Sequence, residues 1–399
     1  MSPTLVGALI ELEVAAPAHG GSCVARHEGQ VIFVRHALPG ERIVARITEQ
    51  SKHFSRADTV EVLAASAHRV VPRCPVAVPG GCGGCDWQHA DAGYQRDIKA
   101  SIVAEQLHRL AGIDLAITVE ALPGDGFGWR TRARFAVDAS GRAGFRRHRS
   151  HQVEVIEACP IAHPLVEAAG VEGRQWDAVS EIEVAASTDS GERLVRTAAG
   201  RDHAMRIREG GALFERAAGR RFRVSPGAFW QVHPQAADVL TEAVVSGLRP
   251  QLGERALDLY AGVGLFAGSL AVAVGPTGAV TAVESSTVAT TDAAHNLADL
   301  PQAHLVRADV EKALASAGRF GVVDIVVLDP PRSGAGAAVV RGICGLRPRA
   351  VAYVACDPAA LGRDLATFAG RGYQLGQLRA FDLFPQTHHV ECVAILEAS

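Results

Sequence analysis

Leu257-Asp258-Leu259-Tyr260-Ala261-Gly262-Val263-Gly264-Leu265-Phe266-Ala267 decides the fold. An apolar run ends in a carboxylate and two close glycines, then resumes with helical spacing through Leu270. This pattern predicts a strand, a tight turn and a helix start. Glycines there let the backbone turn sharply and approach a ligand where a Cβ would intrude. A further strand, 279–283, ends in Glu284, twenty positions past Gly264. An acid at that distance suits the two hydroxyls of a ribose, so the stretch predicts an adenosine-bearing cofactor. Gly262-x-Gly264-x-x-Ala267 also satisfies the dinucleotide fingerprint. However, it lies late in the chain, and Asp258 would repel a pyrophosphate. S-adenosylmethionine has no phosphate and carries a sulfonium cation, so acids near it are tolerable.

Outward from this turn, strands alternate with helices to the end of the chain. Strand 304–308 leads to Asp309, strand 322–328 to Asp329 and strand 350–355 to Cys356; final strands lie near 377–383 and 391–396. Such alternation predicts a doubly wound parallel α/β sheet, in which ligands sit at the carboxyl ends of strands. Asp258, Glu284, Asp309, Asp329 and Cys356 all occupy such ends. A helix over 235–248 precedes the first strand.

Two of these positions suggest chemistry. Leu328-Asp329-Pro330-Pro331-Arg332 is similar to the Asp/Asn-Pro-Pro-aromatic motif of amine methyltransferases, but Arg332 replaces the aromatic, which weakens that reading. A thiolate at Cys356 suits addition to C6 of a pyrimidine, making C5 nucleophilic enough to take a methyl group. A base must then remove the C5 proton, and Glu391 is the best candidate.

Residues 1–65 alternate in a β manner, with turns at Gly20-Gly21 and 38–41, and predict a small barrel of the OB type. Gln30-Val31-Ile32-Phe33-Val34 followed by Leu38-Pro39-Gly40-Glu41 resembles the TRAM domain, an RNA-binding barrel. Cys74, Cys82 and Cys85 come next, and Cys159 completes a set of four that suits either an iron–sulfur cluster or zinc. A helix is expected over 91–110. Arg130, Arg132, Arg134, Arg142, Arg146, Arg147 and Arg149 then crowd twenty positions, a face suited to RNA phosphates. Three modules result: a barrel (1–65), a small α+β cysteine-cluster domain (66–222) and the α/β sheet (223–399).

At 399 residues and 48% apolar content the chain is of a size for two or three domains. It shows no bilayer-length apolar run and no basic-apolar-small signal at its start, so a cytoplasmic location with no membrane partner is the default expectation. Net charge is −3, which by itself does not suggest nucleic-acid binding.

Taken together, these residues resemble the uridine-5 RNA methyltransferases, which use S-adenosylmethionine. The similarity runs from the barrel and the four cysteines through Phe229-Trp230-Gln231, the cofactor turn, Asp329-Pro330-Pro331-Arg332, Cys356 and His389-Val390-Glu391. It implies Cys356 as nucleophile and Glu391 as base acting on tRNA or rRNA. Gln231, Tyr260, Gly262, Glu284 and Asp329 would hold the cofactor, Asp309 would lie near the adenine, and Phe229 would stack on a flipped uracil. Cys74, Cys82, Cys85 and Cys159 would carry a [4Fe-4S] cluster. A known branch has asparagine where this chain has Leu265, and Asn-Pro where it has Asp357-Pro358. Methylation at another atom, a non-catalytic RNA-binding protein and a nicotinamide enzyme stay open as rivals. A monomer is expected.

Overall fold

The computed structural model describes residues 5–200 and 204–398. Strands β1 (Leu9–Ala18), β2 (Ser22–His27), β3 (Gln30–Arg35), β4 (Arg42–Gln50) and β5 (Phe54–Ala64) close a barrel in the order β1-β2-β3-β5-β4. Leu12, Val14, Ile32, Val34, Ile43 and Ile47 fill it, and the alternation seen in the sequence places them on the inner face. Trp87 and the helical Ile98 and Ile102 belong to the same apolar cluster, so the barrel is docked on the first helix.

Helix α1 (Ala92–Ala111) starts at Asp91, whose carboxylate accepts the Tyr94 N–H at 2.9 Å, and stops at Gly112 with φ of 66°. Next comes the short β6 (Val119–Ala121). Strands β7 (Arg132–Val137), β8 (Ala143–Arg146) and β9 (Val153–Val155), the short helix α2 (Pro164–Glu167), and strands β10 (Glu181–Ala186), β11 (Arg193–Ala198) and β12 (Arg206–Glu209) continue the chain. These six strands form one antiparallel sheet, ordered β12-β11-β10-β7-β8-β9. Residues 165–220 show no clear pattern in sequence because several of these strands are short and half-buried. A hairpin of β13 (Leu213–Ala217) and β14 (Arg220–Val224) leads out of this region.

The remaining elements are α3 (Ala236–Leu248), β15 (Arg255–Leu259), α4 (Leu265–Val274), β16 (Ala279–Glu284), α5 (Thr287–Asn296), β17 (Ala303–Arg307), α6 (Val310–Ala315), β18 (Ile325–Leu328), α7 (Gly336–Leu346), β19 (Ala350–Ala355), α8 (Pro358–Ala369), β20 (Tyr373–Asp382) and β21 (Glu391–Ala398). They build an eight-stranded sheet ordered β17-β16-β15-β18-β19-β21-β20-β6. One apolar layer, with Leu240, Val244, Phe266 and Leu270, covers one face; Val340, Ile343, Leu361 and Phe368 cover the other. The parallel sheet predicted from sequence differs in one strand, since β21 runs antiparallel to both β19 and β20. Only residues 383–390 join β20 to β21, too few for the helical crossover that parallel neighbours need. The stretch before residue 222 also contributes to these layers. There β6 pairs with β20, and α1 packs on α8.

Candidate active site

The turn after β15 has the geometry its glycines suggested. Gly262 (φ 56°) and Gly264 (φ 93°) are left-handed, and so is Tyr260 at 63°. Asp258 is fully buried, and its carboxylate accepts the Ala267 N–H at 2.8 Å, occupying the start of α4 where a phosphate would otherwise bind. Its second oxygen has no hydrogen-bond partner among the described residues, and burial pushes its pKa well up. Leu265 opens α4 and is buried in the core, so it offers that turn packing and no polar contact.

At the end of β16, Glu284 accepts the Gly262 N–H at 3.0 Å and the Ser286 N–H at 2.7 Å. Asp309 lies just past β17 and caps α6 by accepting the Lys312 N–H at 3.1 Å. The Tyr260 hydroxyl is pushed up to about 12 by burial and by the nearby Asp309 carboxylate. At the end of β18, Asp329 donates its N–H to the Leu259 carbonyl at 3.3 Å, and burial pushes its carboxyl up to about 7.

Strand register brings the other two candidates together. Ala355 pairs with Cys392 across β19 and β21; one step further in that antiparallel register sets Cys356 opposite Glu391. Burial, then the Glu391 and Asp329 carboxylates, push the Cys356 thiol up to about 12. Burial and Asp329 hold Glu391 far above the usual carboxyl range, and Arg332 opposes both shifts. Three acidic groups thus share the end of the sheet with the Arg332 guanidinium. Gln231 is buried, whereas Phe229 leaves 65% of its surface exposed; between them Trp230 packs on Phe222 with ring centroids 5.3 Å apart.

Neither Arg332 nor His389 stands out as a functional residue in the sequence. The Arg332 Nη2 lies 3.2 Å from His389 Nε2. Burial, His388 and Arg332 lower the His389 pKa to about 3, so the ring is neutral and its Nε2 accepts. Arg332 is visible there as a departure from the amine-methylation motif and as the end of the Asp329-Pro330-Pro331-Arg332 run, with no role of its own; the signal is a cation set among several strand-end acids. The loop after Arg332 is also held tightly. Asp364 accepts the Ala335 N–H at 2.8 Å and the Tyr353 hydroxyl at 2.7 Å. Asp357 caps α8 by accepting the Ala360 N–H and meets His19 of the barrel at 3.0 Å. Asparagine would cap equally well here.

The four grouped cysteines line one small apolar cavity with Arg130, Phe145 and Ile156. Among the described residues no three His, Cys, Asp or Glu side chains form a group able to hold a single metal ion. Cys82 accepts the Gly84 N–H at 3.4 Å, and the Ala162 N–H donates to the Cys159 carbonyl at 2.9 Å. Burial above all pushes Cys85 up to about 12 and Cys159 to about 11, a penalty that a bound cationic centre reverses.

The arginine-rich stretch is laced with ion pairs, although Arg134, Arg142, Arg146, Arg147 and Arg149 stay exposed. Arg132 pairs with Glu215, Arg134 with Glu183, Arg142 with Asp138, Arg146 with Glu181, Arg147 with Glu154 and Arg149 with Glu49. Arg130 lies outside β7, over the Phe145 ring beside the thiols. Most of these carboxylates come from strands distant in sequence, so linear charge counting does not see them. No helix among the described residues is long and apolar enough to cross a membrane.

Residues 3–60 match the TRAM domain family, and residues 216–399 match the family described as tRNA (uracil-5-)-methyltransferase. An uncharacterized RNA methyltransferase from Streptomyces avermitilis is 50% identical, over 98% of this chain and 99% of its own. A 23S rRNA (uracil(1939)-C(5))-methyltransferase from Shewanella halifaxensis is 32% identical, over 97% and 95%. The fold is also that of a Pyrococcus abyssi tRNA (uracil-54, C5)-methyltransferase solved with S-adenosyl-L-homocysteine. The TM-score is 0.73 at 22% identity, covering 96% of this chain and 99% of that one.

Proposed function

Because the chain belongs to the RNA uracil-C5 methyltransferase family, we propose that it methylates C5 of a uridine in tRNA or rRNA through a covalent adduct at Cys356. The observation that carries this reading is the β19–β21 register, which pairs the Cys356 position with Glu391 beside Asp329. S-adenosylmethionine supplies an electrophilic methyl group, and its positive sulfonium offsets the crowded acids.

The sheet reads as a class I methyltransferase fold, behind a TRAM module and a cysteine-cluster module. In it Glu284 holds the ribose hydroxyls, Asp309 lies near the adenine, and Gln231, Tyr260, Gly262 and Asp329 complete the cofactor site. Having lost its proton to solvent, Cys356 adds as the thiolate to C6 of the uracil, and the electron pair released at C5 forms the new bond to the methyl carbon as that carbon's bond to the sulfonium sulfur breaks and a neutral thioether leaves. Glu391 then takes the C5 proton, and the C5–H electrons form the C5–C6 double bond as the C6–S bond breaks, freeing the thiolate. Arg332 lowers the cost of charge on both Cys356 and Glu391, and neutral His389 steadies it. Phe229, an exposed ring, provides a stacking surface for a uracil withdrawn from its strand.

Cys74, Cys82, Cys85 and Cys159 hold a [4Fe-4S] cluster in this reading, supported by their shared cavity and the Gly84 N–H donor. Anaerobically purified protein is expected to be brown, with broad visible absorbance. Colourless protein containing stoichiometric zinc contradicts that assignment. The function itself is tested by its product, 5-methyluridine in RNA incubated with the protein and S-adenosylmethionine.

A further inference from the structure

The loop that leads to Glu391 is anchored from a distant part of the chain. Residues 383–390 join β20 to β21, and Glu391 opens β21. Within that loop Gln386 is only 3% exposed and has a φ of 71°, in the left-handed region. A residue with a long side chain rarely adopts that conformation, and keeps it only where its surroundings hold it there.

Here the hold comes from Gln95, which lies 291 positions earlier on α1 and is itself buried. Its Oε1 accepts the Gln386 backbone N–H at 2.9 Å, and its Nε2 donates to Gln386 Oε1 at 3.0 Å. The same Nε2 donates to the Ala90 carbonyl at 2.9 Å, which ties the amide to the turn before α1. From that turn the Asp86 and Trp87 N–H groups donate to the Gln386 carbonyl at 2.9 and 3.0 Å. The backbone N–H, the carbonyl and the side-chain oxygen of Gln386 are thus all bonded to residues 86–95. Gly126 closes another side, where a Cβ would stand 3.1 Å from the Gln386 amide nitrogen. Two residues further on, the His388 N–H and Nδ1 meet the Asp86 carboxylate at 3.1 and 2.6 Å.

We propose that Gln95 is a positioning residue for the base: it fixes the left-handed turn at Gln386 and, through it, the approach of Glu391 to the C5 proton. The proposal rests on the covalent reading given above. None of these hydrogen bonds involves Cys356 or the cofactor turn, so the clasp bears on one step. In that step Glu391 takes the C5 proton, the C5–H pair closes the C5–C6 double bond, and the C6–S bond breaks to free the Cys356 thiolate.

The test incubates the full-length protein with unmodified RNA and S-adenosylmethionine. It measures released 5-methyluridine separately from covalent protein–RNA complex that survives denaturation. Gln95→Met keeps the length of the side chain and removes both hydrogen bonds to Gln386. Turnover is expected to fall about ten- to a hundredfold while complex accumulates, because a displaced base slows elimination and leaves addition intact. A merely structural effect lowers turnover and complex together. S-adenosylmethionine affinity, expected near the native value, reports folding. Gln386→Gly and Gln386→Ala carry the test where Gln95→Met impairs folding. Both lose the side-chain amide, but only glycine is free of a Cβ penalty in the left-handed region, so the alanine protein should hold about fivefold more complex. Equal complex in these two proteins, or a loss of turnover in Gln95→Met without complex, overturns the proposal; native turnover in Gln95→Met does so as well. Complex in Glu391→Gln but not in Gln95→Met removes the clasp alone, whereas none in either removes the covalent reading with it.

Discussion

Glu391→Gln is expected to strand the protein on its RNA. Cys356 still adds to C6 and C5 still takes the methyl group, but no base removes the C5 proton, so the thioether cannot eliminate. A covalent protein–RNA complex that survives denaturation should accumulate, while multiple turnover falls by at least about a hundredfold. The change is close in volume, and the buried native carboxyl is itself held far above its usual range, so cofactor affinity should stay near that of the unaltered chain. Burial and Asp329 push the Glu391 carboxyl up, and burial pushes the Cys356 thiol up to about 12, so the active forms of both groups gain as pH rises. Turnover of the native chain should rise with pH as Cys356 and Glu391 lose their protons, and covalent-complex formation by the glutamine variant should rise with ionisation of the thiol alone. Cys356→Ala should form no complex at any pH. Native turnover in Glu391→Gln contradicts the assignment of the base.

The second large effect is structural. Lys99 is fully buried in α1, with its Nζ donating to Asp382 Oδ1 at 2.6 Å and to the Phe384 carbonyl at 3.0 Å. Lys99→Met leaves the Asp382 carboxylate buried without its cation. A loss of about 3–5 kcal/mol is expected in urea unfolding, because removing one member of a buried pair is far worse than removing both. Lys99→Met with Asp382→Leu should recover most of the loss. Since Asp382 ends β20 and Phe384 lies in the loop toward Glu391, the single variant should also weaken methyl transfer. Equal stability of the native chain and Lys99→Met refutes this role for the pair.

Local patterns are legible in the sequence where they depend on near neighbours. The glycine turn after Asp258, the strand-end acids and the barrel alternation each combine a short period with a breaker. Cys356 and Glu391 are legible as chemical types at strand ends, but their juxtaposition is a product of the antiparallel β21. That reversal is legible after all in loop length, since the expected strands 377–383 and 391–396 leave only residues 384–390 between them, too few for a crossover. The pairing of the arginines is hidden for a different reason. Their partners Glu181, Glu183 and Glu215 lie on β10 and β13, and charge pairing across strands has no linear signature.

The central claim is a covalent methyl transfer to C5 of uridine, and its most direct test is nucleoside mass spectrometry. Unmodified RNA is incubated with S-adenosylmethionine and either the native chain or Cys356→Ala. New 5-methyluridine from the native chain and none from the variant is the predicted result. A different methylated nucleoside, or equal amounts of product from both proteins, contradicts it.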